Sequence, residues 1–169
     1  MAIFRPDIYQ KNIYSIDYDY LYNKGIRYLI IDLDNTLGFV DEKICSNKIK
    51  DFINELSKRF TIIVASNNTR KRVRRFCQGL EVIAFSEAVK PSKKVYKYFL
   101  KTMRYDVKEI AVIGDQVITD IFMGNRMKAT SILIDPMGRD LKVSYVNRFL
   151  EKIVLKCLRI KRGIYYAQN

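Results

Sequence analysis

Histidine and tryptophan are absent from the 169 residues, and cysteine, proline and glycine are scarce, at three, three and seven. Without histidine, Ser-His-Asp and Cys-His catalysis, His-ligated zinc and imidazole acid/base chemistry are all excluded. An enzyme built on this chain has to work with carboxylates. Cys45, Cys77 and Cys157 are odd in number and far apart, with no zinc-like pairing, which argues for free thiols in a reducing compartment. No apolar run approaches the roughly 18 residues of a membrane span. The opening Met1-Ala2-Ile3-Phe4-Arg5-Pro6-Asp7 lacks the basic region and apolar core of a secretory signal. The expectation is a cytoplasmic protein that does not span a membrane. Repeats, low-complexity tracts and Gly/Ser linkers are missing too, so residues 1–169 read as one domain, large enough to bury roughly 70% of its unfolded surface.

Acidic residues are outnumbered, 18 to 31, for a net charge of +13. Such an excess calls for an anionic partner: nucleic acid, an anionic membrane surface or a phosphate-rich substrate. Short apolar runs alternate with amphipathic stretches. The runs Tyr28 to Ile31, Thr61 to Ala65, Val82 to Phe85, Ile110 to Ile113 and Ser131 to Ile134 predict five strands. Helical spacing lies between them at about Asn47 to Arg59, Arg70 to Cys77, Lys93 to Met103 and Thr119 to Arg126. That alternation predicts an α/β fold, a mainly parallel five-stranded sheet covered on both faces. From residue 143 to 162, Val146, Phe149, Leu150, Ile153, Val154, Cys157 and Leu158 recur at helical spacing opposite Arg148, Lys152, Lys156 and Arg159. This basic amphipathic helix either packs on the sheet or lies on a membrane surface.

Chemistry-bearing residues gather at the ends of the predicted strands. Asp32-Leu33-Asp34-Asn35-Thr36 follows the first, Ser66-Asn67-Asn68 the second, Lys90-Pro91 comes shortly after the third, and Gly114-Asp115 follows the fourth, with Asp120 five residues on. Ligands in open α/β sheets bind at the carboxyl ends of strands. Each piece alone is an ordinary turn or helix cap. Four in succession, in this order, resemble the motifs of the haloacid dehalogenase (HAD) superfamily of phosphohydrolases over residues 26 to 135. Gly25-Ile26-Arg27, Ile31 to Leu37 and Gly114-Asp115-Gln116-x-x-Thr119-Asp120 narrow the resemblance to the YqeG-type branch of its subclass IIIA. That branch is similar to the mitochondrial phosphatidylglycerophosphate phosphatases.

The resemblance implies a capless, Rossmann-like three-layer α/β/α fold and an Mg²⁺-dependent phosphatase. Asp32 is the candidate nucleophile, since a carboxylate can attack phosphorus to form an aspartyl phosphate. Asp34 is the candidate acid/base. Mg²⁺ takes oxygen ligands from a few carboxylates, phosphate and water, and Asp32, Asp34, Asp115 and Asp120 are the candidates; Asp120 either ligates directly or holds a bound water. Ser66, Asn67 and Lys90 are candidates for binding the phosphoryl oxygens, and Thr36 has a supporting role. The intervals where HAD enzymes insert a cap are short here, so an open site favours a substrate presented by something large. Arg70, Lys71, Arg72, Arg74 and Arg75 crowd five basic residues into six positions just after Asn68 and Thr69. They are candidates for docking an anionic surface or substrate. The leading substrate is phosphatidylglycerophosphate, with the enzyme held peripherally on the inner face of the membrane. Rivals are a soluble phosphometabolite, a nucleic-acid end, and a non-catalytic basic binding module.

Overall fold

The apolar runs become strands, and those at the centre of the sheet are buried on both sides. In Leu29-Ile30-Ile31 and Ile110 to Gly114 every residue is buried, as expected of central parallel strands. The computed structural model describes residues 2–92, 98, 106–138 and 152–161. Within them lie β1 (Ile8–Gln10), α1 (Tyr18–Asn23), β2 (Tyr28–Ile31), α2 (Asn47–Ser57), β3 (Thr61–Ala65), α3 (Arg70–Phe76), β4 (Ile83–Phe85), β5 (Ile110–Gly114), α4 (Phe122–Met127) and β6 (Thr130–Ile134). All pairings are parallel, in the order β1-β6-β5-β2-β3-β4.

The sheet therefore has six strands instead of five. The addition, β1, pairs Ile8 with Ile132 and Gln10 with Ile134 at the sheet edge. At three residues it is too short to show a period, and docking on β6 makes it a strand. Asp7 reinforces this edge, its carboxylate accepting from the Ser131 backbone N–H at 2.7 Å.

One face of the sheet packs Leu21 of α1, Ile49, Ile53 and Leu56 of α2, and Val73 and Phe76 of α3 against Leu29, Ile31, Ile62 and Val64. The other packs Met123 and Met127 of α4 against Ile30, Ile63, Ile110 and Val112. This is the three-layer α/β/α arrangement. The helices at 47–59 and 70–77 appear a residue or two shorter at their C-terminal ends. The helix at 119–126 begins two residues earlier, as a π-helical turn at Val117–Ile121 running into α4. The stretch 93–103 falls outside the described residues apart from Tyr98, and so does half of the stretch 143–162. Its described part, 152–161, is helical over 152–157. Val154 and Leu155 there pack on a buried cluster of Val117, Ile121 and Leu133. No helix among the described residues is long and apolar enough to cross a membrane.

Candidate active site

Central strands β2 and β5 are neighbours, so the residues that leave their carboxyl ends meet. Asp32 donates its backbone N–H to the Ile113 carbonyl at 2.9 Å, one register step beyond the paired Ile31 and Ile113. Asp32, Asp115 and Asp120 each offer a carboxylate oxygen within 4.8 Å of the others. All three are buried. The approach of Asp120 depends on Gly114, where a Cβ would collide with the Asp120 carboxyl. The π-helical turn holds that carboxyl from its other side, through the Gln116 N–H and the Thr119 hydroxyl, both donating to Oδ2 at 3.2 Å. The Thr36 hydroxyl reaches Asp115 Oδ1 at 3.5 Å.

Lys90 is the counter-charge. Its Nζ, with a side chain only 3% exposed, donates to Asp32 Oδ1 and, at 2.7 Å, to Asp120 Oδ1. Burial works to lower the Lys90 pKa, but Asp120 and Asp32 outweigh it and hold the ammonium above its ordinary value. Asp32 is pushed well above the usual carboxylate range, by burial first and by Asp120 and Asp115 next, against the opposing pull of Lys90. The Lys90 ammonium bonds two of the three clustered, buried carboxylates. Buried charges need compensation, so this group has the charge and the oxygen donors to accept a divalent cation.

Asn67 secures the lysine. It accepts the Lys90 backbone N–H on Oδ1 at 2.6 Å and donates from Nδ2 to the Lys90 carbonyl at 3.1 Å. Its amide is thus engaged with the main chain of Lys90, and the Lys90-Pro91 peptide is cis. Ser66 accepts from the Asn68 N–H at 3.0 Å and donates to Asp34 Oδ2 at 3.4 Å.

Asp34 stands apart from the three-carboxylate group. Its Oδ2 accepts from Ser66 and, at 3.3 Å, from Asn68 Nδ2, while Oδ1 accepts from Arg72 Nη2 at 3.0 Å. Its side chain keeps 23% of its surface exposed, against 10% for Asp32. Asn35, at φ 62°, turns the chain directly after it, in the left-handed region that asparagine tolerates.

Arg72 changes the reading of the basic cluster. Its guanidinium donates to Asp34 and to the carbonyls of Phe39 and Glu42, and its side chain is 15% exposed. It belongs to the site and not to the docking surface expected of it. Arg70, Lys71, Arg74 and Arg75 are exposed, as a docking surface requires. Asn68 stands in the second motif with no role expected of it, and the Phe39 and Glu42 carbonyls lie outside the motifs. Arg72 had a signal: Arg72, Val73, Phe76 and Cys77 follow helical spacing, which puts the arginine on the inward face. Asp32, Asp34, Ser66, Asn67, Lys90, Gln116, Thr119 and Asp120 line one cleft of about 90 Å³. At about 30 Å³ per liquid water, that is room for a phosphoryl group and little more.

A parallel α/β sheet with this carboxylate and lysine cluster at its carboxyl edge defines a HAD-type hydrolase. Solved structures agree on the fold: a protein from Listeria monocytogenes aligns at TM-score 0.54 with 15% identity, covering 80% of this chain and 100% of that one. A HAD family enzyme from Bacteroides thetaiotaomicron, crystallised as a magnesium complex, aligns at TM-score 0.52 with 14% identity, covering 72% and 99%. The family model described as mitochondrial PGP phosphatase matches residues 1–137. The probable phosphatase YqeG of Bacillus subtilis is 30% identical over 167 residues, 98% of this chain and 97% of that protein. The chain belongs to this family of YqeG-type, subclass IIIA HAD phosphatases.

Proposed function

We propose that the enzyme hydrolyses the terminal phosphomonoester of phosphatidylglycerophosphate, releasing phosphatidylglycerol and inorganic phosphate, through an aspartyl phosphate on Asp32 and with Mg²⁺ as cofactor. The observation that carries the chemistry is the pairing of two unlike carboxylates at one strand end. Asp32 is buried on Lys90, and Asp34, two residues on, is at the mouth and held by Arg72, Ser66 and Asn68. Asp32, Asp115 and Asp120 would hold the metal, which when bound neutralises the repulsion between nucleophile and phosphate.

The chain's own residues do the rest. Lys90 and the buried turn orient Asp32 so that a carboxylate oxygen forms the new bond to phosphorus as the ester P–O bond breaks. Asp34 gives its proton to the leaving alkoxide. In the second displacement Asp34 takes a proton from water, whose oxygen attacks phosphorus, and the bond to Asp32 breaks. That Ser66 lines the same cleft supports a part for it in holding the phosphoryl group.

Family membership and the exposed cations of α3 beside the site support a lipid substrate at an anionic surface. They also support peripheral attachment to the inner face of the membrane. A cleft of about 90 Å³ that admits the phosphate end alone suits a substrate whose body stays outside. The test is phosphate release from phosphatidylglycerophosphate in anionic vesicles beside a panel of soluble phosphomonoesters, using wild type and Asp32→Asn, with and without Mg²⁺. The expected result is Mg²⁺-dependent, lipid-selective release that falls on the order of 10³-fold or more in the variant. Release from soluble esters alone, or from nucleic-acid ends, would discard the lipid. Wild-type turnover by Asp32→Asn would discard the nucleophile.

A further inference from the structure

A groove of about 1160 Å³ runs between α3 and the edge strand β4. Its lip carries Arg70, Lys71, Arg74 and Arg75, all exposed. Among the described residues none of the four has an ion-pair or hydrogen-bond partner from its side chain. Its base is apolar: Val73 and Cys77 are buried, Val82 is half-buried, and Ala84 lies open to solvent. One end of the groove lies close to the site along the chain. Ser86, which lines it, follows Phe85, whose carbonyl accepts the Ser66 N–H at 3.0 Å. Arg70 begins α3 three residues after Asn67.

We propose that this groove seats an anionic phospholipid of the bilayer, its phosphate on the arginine and lysine lip and its upper acyl chain on Val82, Ala84 and Cys77. The inference rests on the reading of the enzyme as a phosphatase for a membrane lipid and says how the surface is met. Two features choose this occupant over other polyanions. Unpaired cations attract any phosphate, but an apolar base beside them serves a ligand with an apolar body, which a nucleic-acid backbone lacks. The active-site cleft holds little more than a phosphoryl group, so a lipid substrate must keep its glycerol and acyl parts outside. A docked neighbouring lipid sets the mouth of the site against the headgroup layer where those parts lie.

The experiment measures binding without turnover. Wild type and variants are sedimented with vesicles of phosphatidylglycerol and phosphatidylcholine, and with phosphatidylcholine alone, neither of which contains the phosphomonoester. Arg70, Arg74 and Arg75 are changed together to Gln; Lys152, Lys156 and Arg159 are changed together to Gln as an equal loss of charge on the C-terminal helix; Ala84→Gln makes the apolar base polar without altering charge. Folding is checked by circular dichroism. The groove triple variant is expected to lose at least about tenfold of its partition onto phosphatidylglycerol vesicles. The helix variant is expected to lose less than about threefold, and Ala84→Gln several-fold, on the same scale. Equal losses in the two triple variants would reduce the effect to net charge and overturn the proposal, as would unchanged binding by Ala84→Gln. So would tighter binding of wild type to a single-stranded oligonucleotide than to the vesicles. Because these vesicles hold no substrate, failure of the lipid-phosphatase reading shows separately, as absent phosphate release from monodisperse phosphatidylglycerophosphate.

Discussion

Between Arg70 and Lys90 the chain carries two kinds of cation with opposite fates. Lys90 and Arg72 are drawn inward onto carboxylates, one holding Asp32 and Asp120, the other Asp34. Arg70, Lys71, Arg74 and Arg75 stand in solvent along the groove. Arg72 and its exposed neighbours share one seven-residue helix, so composition cannot tell them apart. Inside, a cation compensates buried negative charge and its loss leaves that charge stranded. Outside, each contributes little to folding and stays free to meet an anion. In the function proposed above, the inner set serves the chemistry and the outer set delivery.

The sharpest way to break this contrast is Lys90→Met, which leaves Asp32 and Asp120 without their ammonium. Loss of one partner of a buried pair costs about 3–5 kcal/mol, and urea unfolding in the presence of a chelator should show a loss of that size. The deficit should depend on pH with a definite sign. Asp32 titrates above its ordinary range in the folded protein, and removing Lys90 removes what pulls it down. A raised acid stabilises the fold while protonated and loses that contribution as pH rises through the folded value. The deficit is therefore larger at about pH 7 than at about pH 5. A pH-independent deficit would mean that Lys90 acts by packing.

Next in size is Arg72→Gln compared with the double change Arg74→Gln and Arg75→Gln, assayed on a soluble phosphomonoester. Arg72→Gln should lower kcat by about 10²-fold, the scale of a misplaced acid/base group, and shift the pH profile. The outer pair should change kcat less than about twofold. Equal effects would return Arg72 to the surface set.

The smallest effect separates the site from the scaffold. The Tyr18 phenol, donating to the Ile13 carbonyl at 2.9 Å, is held well above its ordinary value by burial and secondarily by Tyr14. Its contribution is complete below about pH 10 and is lost as pH climbs through the folded value. Tyr18→Phe should cost about 1 kcal/mol at neutral pH and make the alkaline loss shallower. Some slope should remain above about pH 9, because burial also raises the Cys45 and Cys77 thiols, to about 11 and about 12. Phosphatase activity at neutral pH should hardly change.

Much of this was legible in the chain. Five of the six strands are short apolar runs, and a strand buried on both faces cannot be written any other way. β1 was not legible, since Ile8, Tyr9 and Gln10 become a strand only through pairing with Ile132 to Ile134. The motif residues were legible as an assembly because each follows or lies near a strand end. Their individual contacts were not. Asn67 turns to the Lys90 main chain, and Asp34 faces α3, because side-chain direction there depends on turns such as the one at Asn35 and on what a neighbouring element presents.

By itself, then, the sequence determined a parallel α/β fold, the exclusion of histidine chemistry beside a set of carboxylates at strand ends, and a surplus of positive charge. These follow from residue type, period and composition, which are properties of the chain alone. Only the tertiary structure decided that Lys90 sits between Asp32 and Asp120, that Arg72 reaches Asp34, and that the outward cations border an apolar groove. Those outcomes depend on strand order and helix register, which bring together residues as far apart as Asp32 and Asp120, and no local pattern records such a meeting.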